Sequence, residues 1–436
     1  MGGTSLTTSS KKLYSSLLSL LFFLLQSASG RELKFALLVY RHGDRSPVDN
    51  YPTDLHSESE WPQGFGQLTK IGIQQQYELG QYIKKRYSNF LSSTYKREEV
   101  LIHSTETDRT IMSAQANLAG LFPPSGDEIW NPELLWQPIP VHIVPKEHNP
   151  KLRYPMFHCP RYLKLLKETI VSSEFQLMLQ PYQEFIKTIS LHSGYNPETL
   201  AYFGNFKLWH VQDTLLCESI HNYTLPEWVT KDVMAKLDEL TVMSVSVLFG
   251  LHKREEKAQL QGGLLVKDIL EKMSNAARYP GKRKMLVYSA HDTTLGALQM
   301  ALNIYNEKLI PYATCQFFEL YQENNGEYTI EMHFRNDTTK EPYLLTLPGC
   351  SSACPLSQFA ELVSPILVED WARECQTTEE KKDSDLDMNP DAERPTVPME
   401  ETLDISTSSE PYISKPKITG TRKPVIANLR PGIAFP

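Results

Sequence analysis

A chain of 436 residues is long enough for one large domain or two ordinary ones, and 41% hydrophobic with 22% charged residues is the balance of a globular protein. Its net charge of −8 at pH 7, with no Lys/Arg cluster or basic helix to offset it, excludes nucleic acid as a partner class.

Residues 1–30 read as a targeting segment. Lys11 and Lys12 precede an apolar core from Leu13 to Leu25, and Ala28-Ser29-Gly30 supplies the small residues of a cleavage site. That core is short for a membrane span of about 20 residues, so a signal peptide removed after Gly30 is predicted. Secretion changes the meaning of the six cysteines, Cys159, Cys217, Cys315, Cys350, Cys354 and Cys375. In an oxidising compartment three disulfides are the default. Metal binding is the competing use, but none of the six sits in a Cys-x-x-Cys or histidine-rich cluster. Six cysteines allow 15 connectivities, and Cys350 and Cys354 are near enough in sequence to close a local loop. Asn222-Tyr223-Thr224 and Asn336-Asp337-Thr338 are glycosylation sequons on the same route.

An apolar run beginning near Leu33 reads as a buried strand. It stops at a charged loop, Arg41-His42-Gly43-Asp44-Arg45-Ser46-Pro47. Open α/β sheets place ligands at the carboxyl ends of their strands. Guanidiniums there can grip an anionic tetrahedral group bidentately, and an imidazole between them can attack its centre. Gly43 is expected to let the backbone approach that ligand closely. A charged surface loop is the bland alternative, and it suits a lone Arg-His pair better than seven such residues after a strand.

Residues 51–65, rich in Pro, Ser and Gly, are predicted as a surface loop. Leu68, Ile71, Leu79, Ile83, Tyr87 and Phe90 then fall near one helical face, with Lys84, Lys85 and Arg86 toward the C-terminal end. A short strand over 99–103 leads to Ser104-Thr105-Glu106-Thr107-Asp108-Arg109, and Ile111 to Leu121 reads as a helix stopped by Pro123-Pro124. Two strand–loop–helix units in succession indicate α/β, with a mixed, mainly parallel sheet flanked by helices. Between about Tyr154 and Arg278 long amphipathic stretches dominate, which predicts a mostly helical cap over 154–279. Sheet character returns at Lys284–Ala290, followed by a helix over 293–304 and two later strands, 314–320 and 328–334. The α/β domain is thus expected to comprise 31–153 and 280–375. Residues 376–436 carry few large apolar side chains, which predicts a disordered tail. They hold no run long enough to span a bilayer and no lipid-anchor signal.

Ala290-His291-Asp292-Thr293-Thr294 ends the late strand as the first loop ends the early one. If a parallel sheet brings both to one edge, His291 adds a donor to a bound anion and Asp292 a proton for a leaving oxygen. Asp292 is equally a good helix N-cap. Arg109 has the same duality, beginning a helix yet lying just past a strand end.

The Arg-His-Gly-x-Arg-x-Pro sequence at 41–47, paired with the distant His291-Asp292, resembles the histidine acid phosphatases, a branch of the histidine phosphatase group. The likeness extends from Arg31 to about Cys375. Arg-His-Gly alone is common across the wider group, whereas the Arg-x-Pro extension with a late His-Asp marks the acid phosphatase and phytase branch. The resemblance implies His42 as nucleophile and Asp292 as proton donor, with Arg41, Arg45, Arg109 and His291 holding the phosphate. It implies hydrolysis of phosphate monoesters through a phosphohistidine, with no metal or other cofactor because arginines neutralise the phosphoryl oxygens. It further implies Cys159–Cys375, Cys217–Cys315 and Cys350–Cys354 disulfides, and a homodimer in which Trp136 and His142 match subunit-contact positions. Without the resemblance, Trp136 in Leu134-Leu135-Trp136 would simply be core.

The expected product is a secreted or lysosomal enzyme with no membrane span in its mature chain, working in acid. Two alternatives remain at this stage: a phytase-like phosphatase, and a secreted paralogue that binds without catalysis. Asn50, Tyr51 and residues 147–158 are less similar to the family than the motifs are, so substrate preference is open.

Overall fold

The computed structural model describes residues 30–377 except 146–147 and 154–157, so the predicted leader and nearly all of the predicted tail lie outside the described residues. Glu32–Arg41 form β1, and every residue from Phe35 to Pro47 is buried. Helices cover both of its faces, and strands cover both of its edges. β1 pairs in parallel with β4 (Met285–Ala290) on one side and antiparallel with β5 (Cys315–Gln322) on the other. A central strand covered in this way must be apolar where it is buried, which is why residues 35–40 read as an unbroken run.

The full order is β3–β2–β4–β1–β5–β6–β7, with β8 pairing β6. Here β2 is Val100–Thr105, β3 His142–Val144, β6 Tyr328–Arg335, β7 Tyr343–Leu345 and β8 Cys354–Pro355. The four strands from β3 to β1 are parallel and the rest antiparallel. The sheet is therefore mixed, with the parallel half carrying both charged loops. The short strands β3, β7 and β8 have no sequence signal of their own.

Alternate residues of β1 enter two cores. Ala36, Leu38 and Tyr40 pack with Leu79 and Ile83 of α1 (Lys70–Arg86) and Ala114 and Leu118 of α2 (Asp108–Leu121). On the other face Phe35, Leu37 and Val39 pack with α10 (Gly262–Arg278) and α11 (Asp292–Ala301). Between them run α3 (Pro160–Val171), α4 (Ser173–Leu179), α5 (Gln183–Ser193), α6 (Pro197–Ala201), α7 (Lys207–Ile220), α8 (Lys231–Phe249) and α9 (Arg254–Leu260). α3 to α8 bury a third core of their own around Tyr162, Phe175, Leu215 and Leu237. α10 falls within the stretch read as cap, yet its Leu265, Val266, Ile269 and Met273 lie against the sheet. Its amphipathic pattern alone could not say which layer it would cover.

Cys159–Cys375 and Cys350–Cys354 are bonded. The third expected pair is not: Cys217 and Cys315 are free, buried thiols. Cys315 points from β5 into the core shared with α1 and α2, whereas Cys217 on α7 faces the Tyr312 hydroxyl at 3.5 Å. The sheet carries the two sulfurs to different environments, which corrects the Cys217–Cys315 expectation.

Candidate active site

In the β1–β4 register, Arg41 stands opposite Ala290, so His42 and His291 leave adjacent parallel strands side by side. The His42 N–H donates to the Ala290 carbonyl at 3.0 Å, and the imidazole centroids are 5.6 Å apart. A slip of one strand against the other would separate them, so the register itself assembles the pair.

The loop after β1 is held from several sides. Gln76 donates to the Arg41 carbonyl at 2.8 Å, the Gly43 N–H donates to Ser113 Oγ at 3.1 Å, and the Asp44 N–H donates to Gln75 Oε1 at 2.8 Å. Thr69, the N-cap of α1, donates its N–H to the Asp44 carbonyl at 3.0 Å. Gly43 is required here for a reason other than ligand approach. A Cβ on it would lie 2.3 Å from the Gly72 carbonyl oxygen of α1. The close approach is loop to helix, which corrects the expectation that it serves the ligand. Asp44, fully buried, accepts from Thr69 and pairs with His221 Nε2 at 2.6 Å.

His42 has a defined tautomer. Its Nδ1 is 2.8 Å from the Gly43 carbonyl, which can only accept, so Nδ1 carries the proton and Nε2 a lone pair. Arg109, on the first turn of α2, donates its Nε–H to that Nε2 at 3.1 Å. Burial first, then the charges of Arg109, Arg41 and Arg45, push the His42 pKa well below the usual histidine range. An imidazole in this setting stays neutral, and hence nucleophilic, in acid. His291 is lowered in the same way by burial and then Arg109. Its Nε2 is hydrogen-bonded to the Thr105 hydroxyl at the end of β2, 2.9 Å away.

Asp292 is the first residue of α11 and His291 its N-cap, so Asp292 does not itself cap. Its Oδ1 accepts the Thr293 N–H at 2.7 Å and its Oδ2 pairs with Arg41 at 2.8 Å. Burial raises its pKa, but Arg41, Arg45 and His291 outweigh that and hold it below the usual value. Arg41 stacks over the Tyr312 ring at 4.0 Å. Arg45 forms a two-pronged pair with Asp213 of α7, at 2.8 and 2.9 Å. Burial, then Arg45, lowers the Arg109 pKa to about 10, still charged at any working pH.

All six residues singled out from the motifs thus converge: His42, Asp292, Arg41, Arg45, Arg109 and His291. Buried Nε–H donors of Arg41 and Arg45 find no acceptor among the described residues. Guanidinium donors left over around a nucleophilic nitrogen are the chemistry of an oxyanion site. A cavity of about 850 Å³ opens beside Arg41 and Asp292, with Trp209, Tyr305, Tyr312 and Tyr343 on its other walls. Asp213 and Tyr312 escaped the sequence reading. Asp213 lies between Gln212 and Thr214 in a helix of mixed composition, where nothing local marks it, and Tyr312 lies in a loop with no pattern. Arg153 also escaped it. Its charge acts on His291, and its buried Nη1 has no hydrogen-bond partner among the described residues.

The remaining sequence-picked residues lie elsewhere. Trp136 is 38% exposed and Leu135 61%, so this segment is surface rather than core, and His142 is exposed on the edge strand β3. Asn222 is exposed, and Asn336 lines the cavity mouth. Among the described residues no helix is long and apolar enough to cross a membrane.

A family model described as histidine phosphatase superfamily (branch 2) matches residues 32–335. Human prostatic acid phosphatase is 55% identical over 363 residues, 83% of this chain and 92% of that protein. Lysosomal acid phosphatase of Xenopus laevis is 51% identical over 363 residues, 83% of each chain. Among solved structures, the Citrobacter braakii phytase aligns with a TM-score of 0.60 at 18% identity, covering 80% of this chain and all of that one. The Hafnia alvei phytase bound to tartrate gives 0.61 at 16% identity over the same shares. At such identities the phytases speak for the fold alone.

Proposed function

This chain belongs to the histidine phosphatase superfamily (branch 2) and is an acid phosphatase, and from that premise we propose that His42 is its nucleophile and Asp292 its proton donor. The observation that carries the assignment is the Nε2 lone pair of His42, placed by its tautomer and ringed by Arg109, Arg41 and Arg45. His42 Nε2 attacks phosphorus in line, the ester P–O bond breaks, and Asp292 protonates the departing alcohol. Water then attacks phosphorus, Asp292 takes its proton, and the P–N bond breaks to release phosphate. Arg41, Arg45 and Arg109 offset the charge on the equatorial oxygens, with His291 beside them as a neutral hydrogen-bonding group.

Two local rearrangements follow. Arg109 must turn its Nε–H from His42 to a phosphoryl oxygen, which frees the lone pair only when substrate is present. Phosphate on Arg41 must weaken the hold on Asp292, whose carboxyl then regains its affinity for a proton. Both make the catalytic groups respond to the phosphoryl group rather than to the alcohol.

The helices over 154–279 act in this reading as the part that meets the alcohol. Beyond Arg41, the cavity wall offers one further cation, Lys340, which is paired with Asp337 at 2.8 Å, and the wall also carries Glu341; this gives little to hold a polyphosphorylated ligand and disfavours the phytase-like alternative. Trp130, Leu135, Trp136 and Ile143, exposed beside β3, support a homodimer contact that includes Trp136 and His142. The leader and the two bonded cysteine pairs support passage through the secretory route, with glycans at Asn222 and Asn336 and either secretion or the lysosomal lumen as destination.

The test is hydrolysis of p-nitrophenyl phosphate in EDTA, with alkaline-quench trapping of the phosphoenzyme. Wild type is expected to turn over in acid and to yield an acid-labile, alkali-stable phosphoenzyme. His42→Ala is expected to lose roughly 10⁴-fold or more in kcat and all trapping. Full activity in that variant would remove His42 from the role.

A further inference from the structure

The charges around the phosphate end do not add to what three arginines suggest. Arg41 is matched by Asp292 at 2.8 Å. Arg45 is matched by Asp213, which lies on a helix rather than on either motif loop, and both side chains are only 6% exposed. Two parallel N–H···O bonds to a buried carboxylate fix the guanidinium plane as well as its charge. His42 and His291 are held neutral. Three guanidinium charges against two carboxylates leave one, on Arg109.

The groups facing Asp213 from other elements do not alter that count. The Tyr312 hydroxyl, from the loop before β5, is held neutral by burial, as is the Cys217 thiol on α7 itself. His210, also on α7, is lowered by burial and then Lys207, with Asp49 acting against that. The Val48 N–H adds a weak donor at 3.5 Å. In the wider ring, Arg153 lies beyond His291, and Asp44 behind the loop is paired with His221 at 2.6 Å.

We propose that Asp213 is a positioning residue that selects the ionic form of the substrate: by holding Arg45 it leaves the site one net positive charge, the complement of a phosphate ester monoanion. This deepens the acid phosphatase reading and rests on it. A phosphate monoester loses its second proton near pH 6, so the monoanion predominates below that. Its remaining proton has a route. The monoanion gives it to Asp292, Asp292 gives it to the leaving oxygen as the P–O bond breaks, and the phosphohistidine keeps the single negative charge. No proton is taken from solvent in that step, and Asp292 need not be protonated in the free enzyme, where Arg41 holds it ionised. Acid activity then follows from the substrate's titration rather than from an enzyme group's.

Two esters separate these sources, an alkyl phosphate and p-nitrophenyl phosphate, whose second proton is the more acidic. For the wild-type protein the alkaline limb of kcat/KM is expected to fall at lower pH for p-nitrophenyl phosphate, following the ester. Asp213→Asn adds one positive charge to the site, and its ratio of kcat/KM at pH 7.5 to that at pH 5 is expected to rise about tenfold. Asp213→Glu should return the ratio toward wild type. A limb at the same pH for both esters, or a uniform loss at every pH in Asp213→Asn, would overturn the proposal. The two-ester comparison and calorimetric binding of inorganic phosphate use wild-type protein, so a variant that fails to fold does not decide the matter. Inactivity on both esters would count against the reaction itself, whereas phosphate binding that strengthens as pH rises would overturn the charge assignment whatever the activity.

Discussion

The phosphate end and the alcohol end of the cavity are built by different rules. At the phosphate end, His42, His291 and Thr105 come from the carboxyl ends of β1, β4 and β2, and one parallel register places all three. At the alcohol end, Trp209 comes from α7, Tyr305 and Tyr312 from the loop between α11 and β5, and Tyr343 from β7. Backbone hydrogen bonds index the first set to one another. The second set is indexed only by side-chain packing, through three separate segments. The first wall can therefore be rigid about chemistry while the second varies the alcohol.

The sharpest way to test that division is to remove the proton donor and vary the leaving group. Asp292→Asn keeps the Thr293 contact but can neither protonate nor activate. Its kcat is expected to fall roughly 10²–10⁴-fold. The fall should be largest for alkyl phosphates, whose leaving oxygens need the proton most, and smallest for p-nitrophenyl phosphate. An equal loss on both esters would mean that Asp292 serves only to orient Arg41, and the division of labour at the phosphate end would have to be redrawn.

The same division explains what was legible in the sequence. β1 and β4 are buried on both faces and end abruptly in charge, so apolar runs and the residues after them carry the signal. Thr69 and the glycine at 72 hold α1 against the catalytic loop, but only the fold shows that Gly43 exists for that contact. Asp213 was illegible because its partner, Arg45, is 168 residues away in sequence. Long-range pairing leaves no periodicity to read. Cys217 and Cys315 were misread for a related reason: a cysteine count states that pairs are available, while only the sheet states which sulfurs meet. The surface position of Trp136 was likewise invisible to local pattern, since an apolar triplet reads the same in a core and on an exposed edge.

A milder perturbation examines the alcohol end alone. Trp209 lines the cavity without contacting any of the six phosphate-end residues through a hydrogen bond among those described. Trp209→Ala should raise KM for aryl phosphates about three- to tenfold, the worth of one aromatic contact. It should leave kcat and the KM for small alkyl phosphates nearly unchanged. A fall in kcat for every ester would show that the two ends are mechanically coupled and that the comparison between them fails.

The smallest expected effect concerns stability, and it lies on the same helix as Asp213. Glu218, further along α7, is fully buried beside the Asp54 carboxyl. Burial, and then the neighbouring Asp54 carboxyl, push its pKa up to about 8. A carboxyl raised in the folded state holds a proton that the unfolded chain has lost. Its contribution is full below the unfolded value, near 4.5, and disappears as pH rises through about 8. Burial lowers the pKa of His56 nearby, but its bonds to Glu60 and Thr224 and the charge of Glu218 together outweigh that and raise it, and it acts with the same sign. Wild type should therefore lose a few degrees of Tm between pH 5 and pH 9. Glu218→Gln, neutral throughout, should be close to wild type at pH 5, flatter with pH, and the more stable of the two at pH 9, with phosphatase activity in acid retained. An unchanged slope would place the pH sensitivity elsewhere. A flattened one would mean that α7 is tuned for acid twice, once through Asp213 at the site and once through Glu218 in the packing behind it.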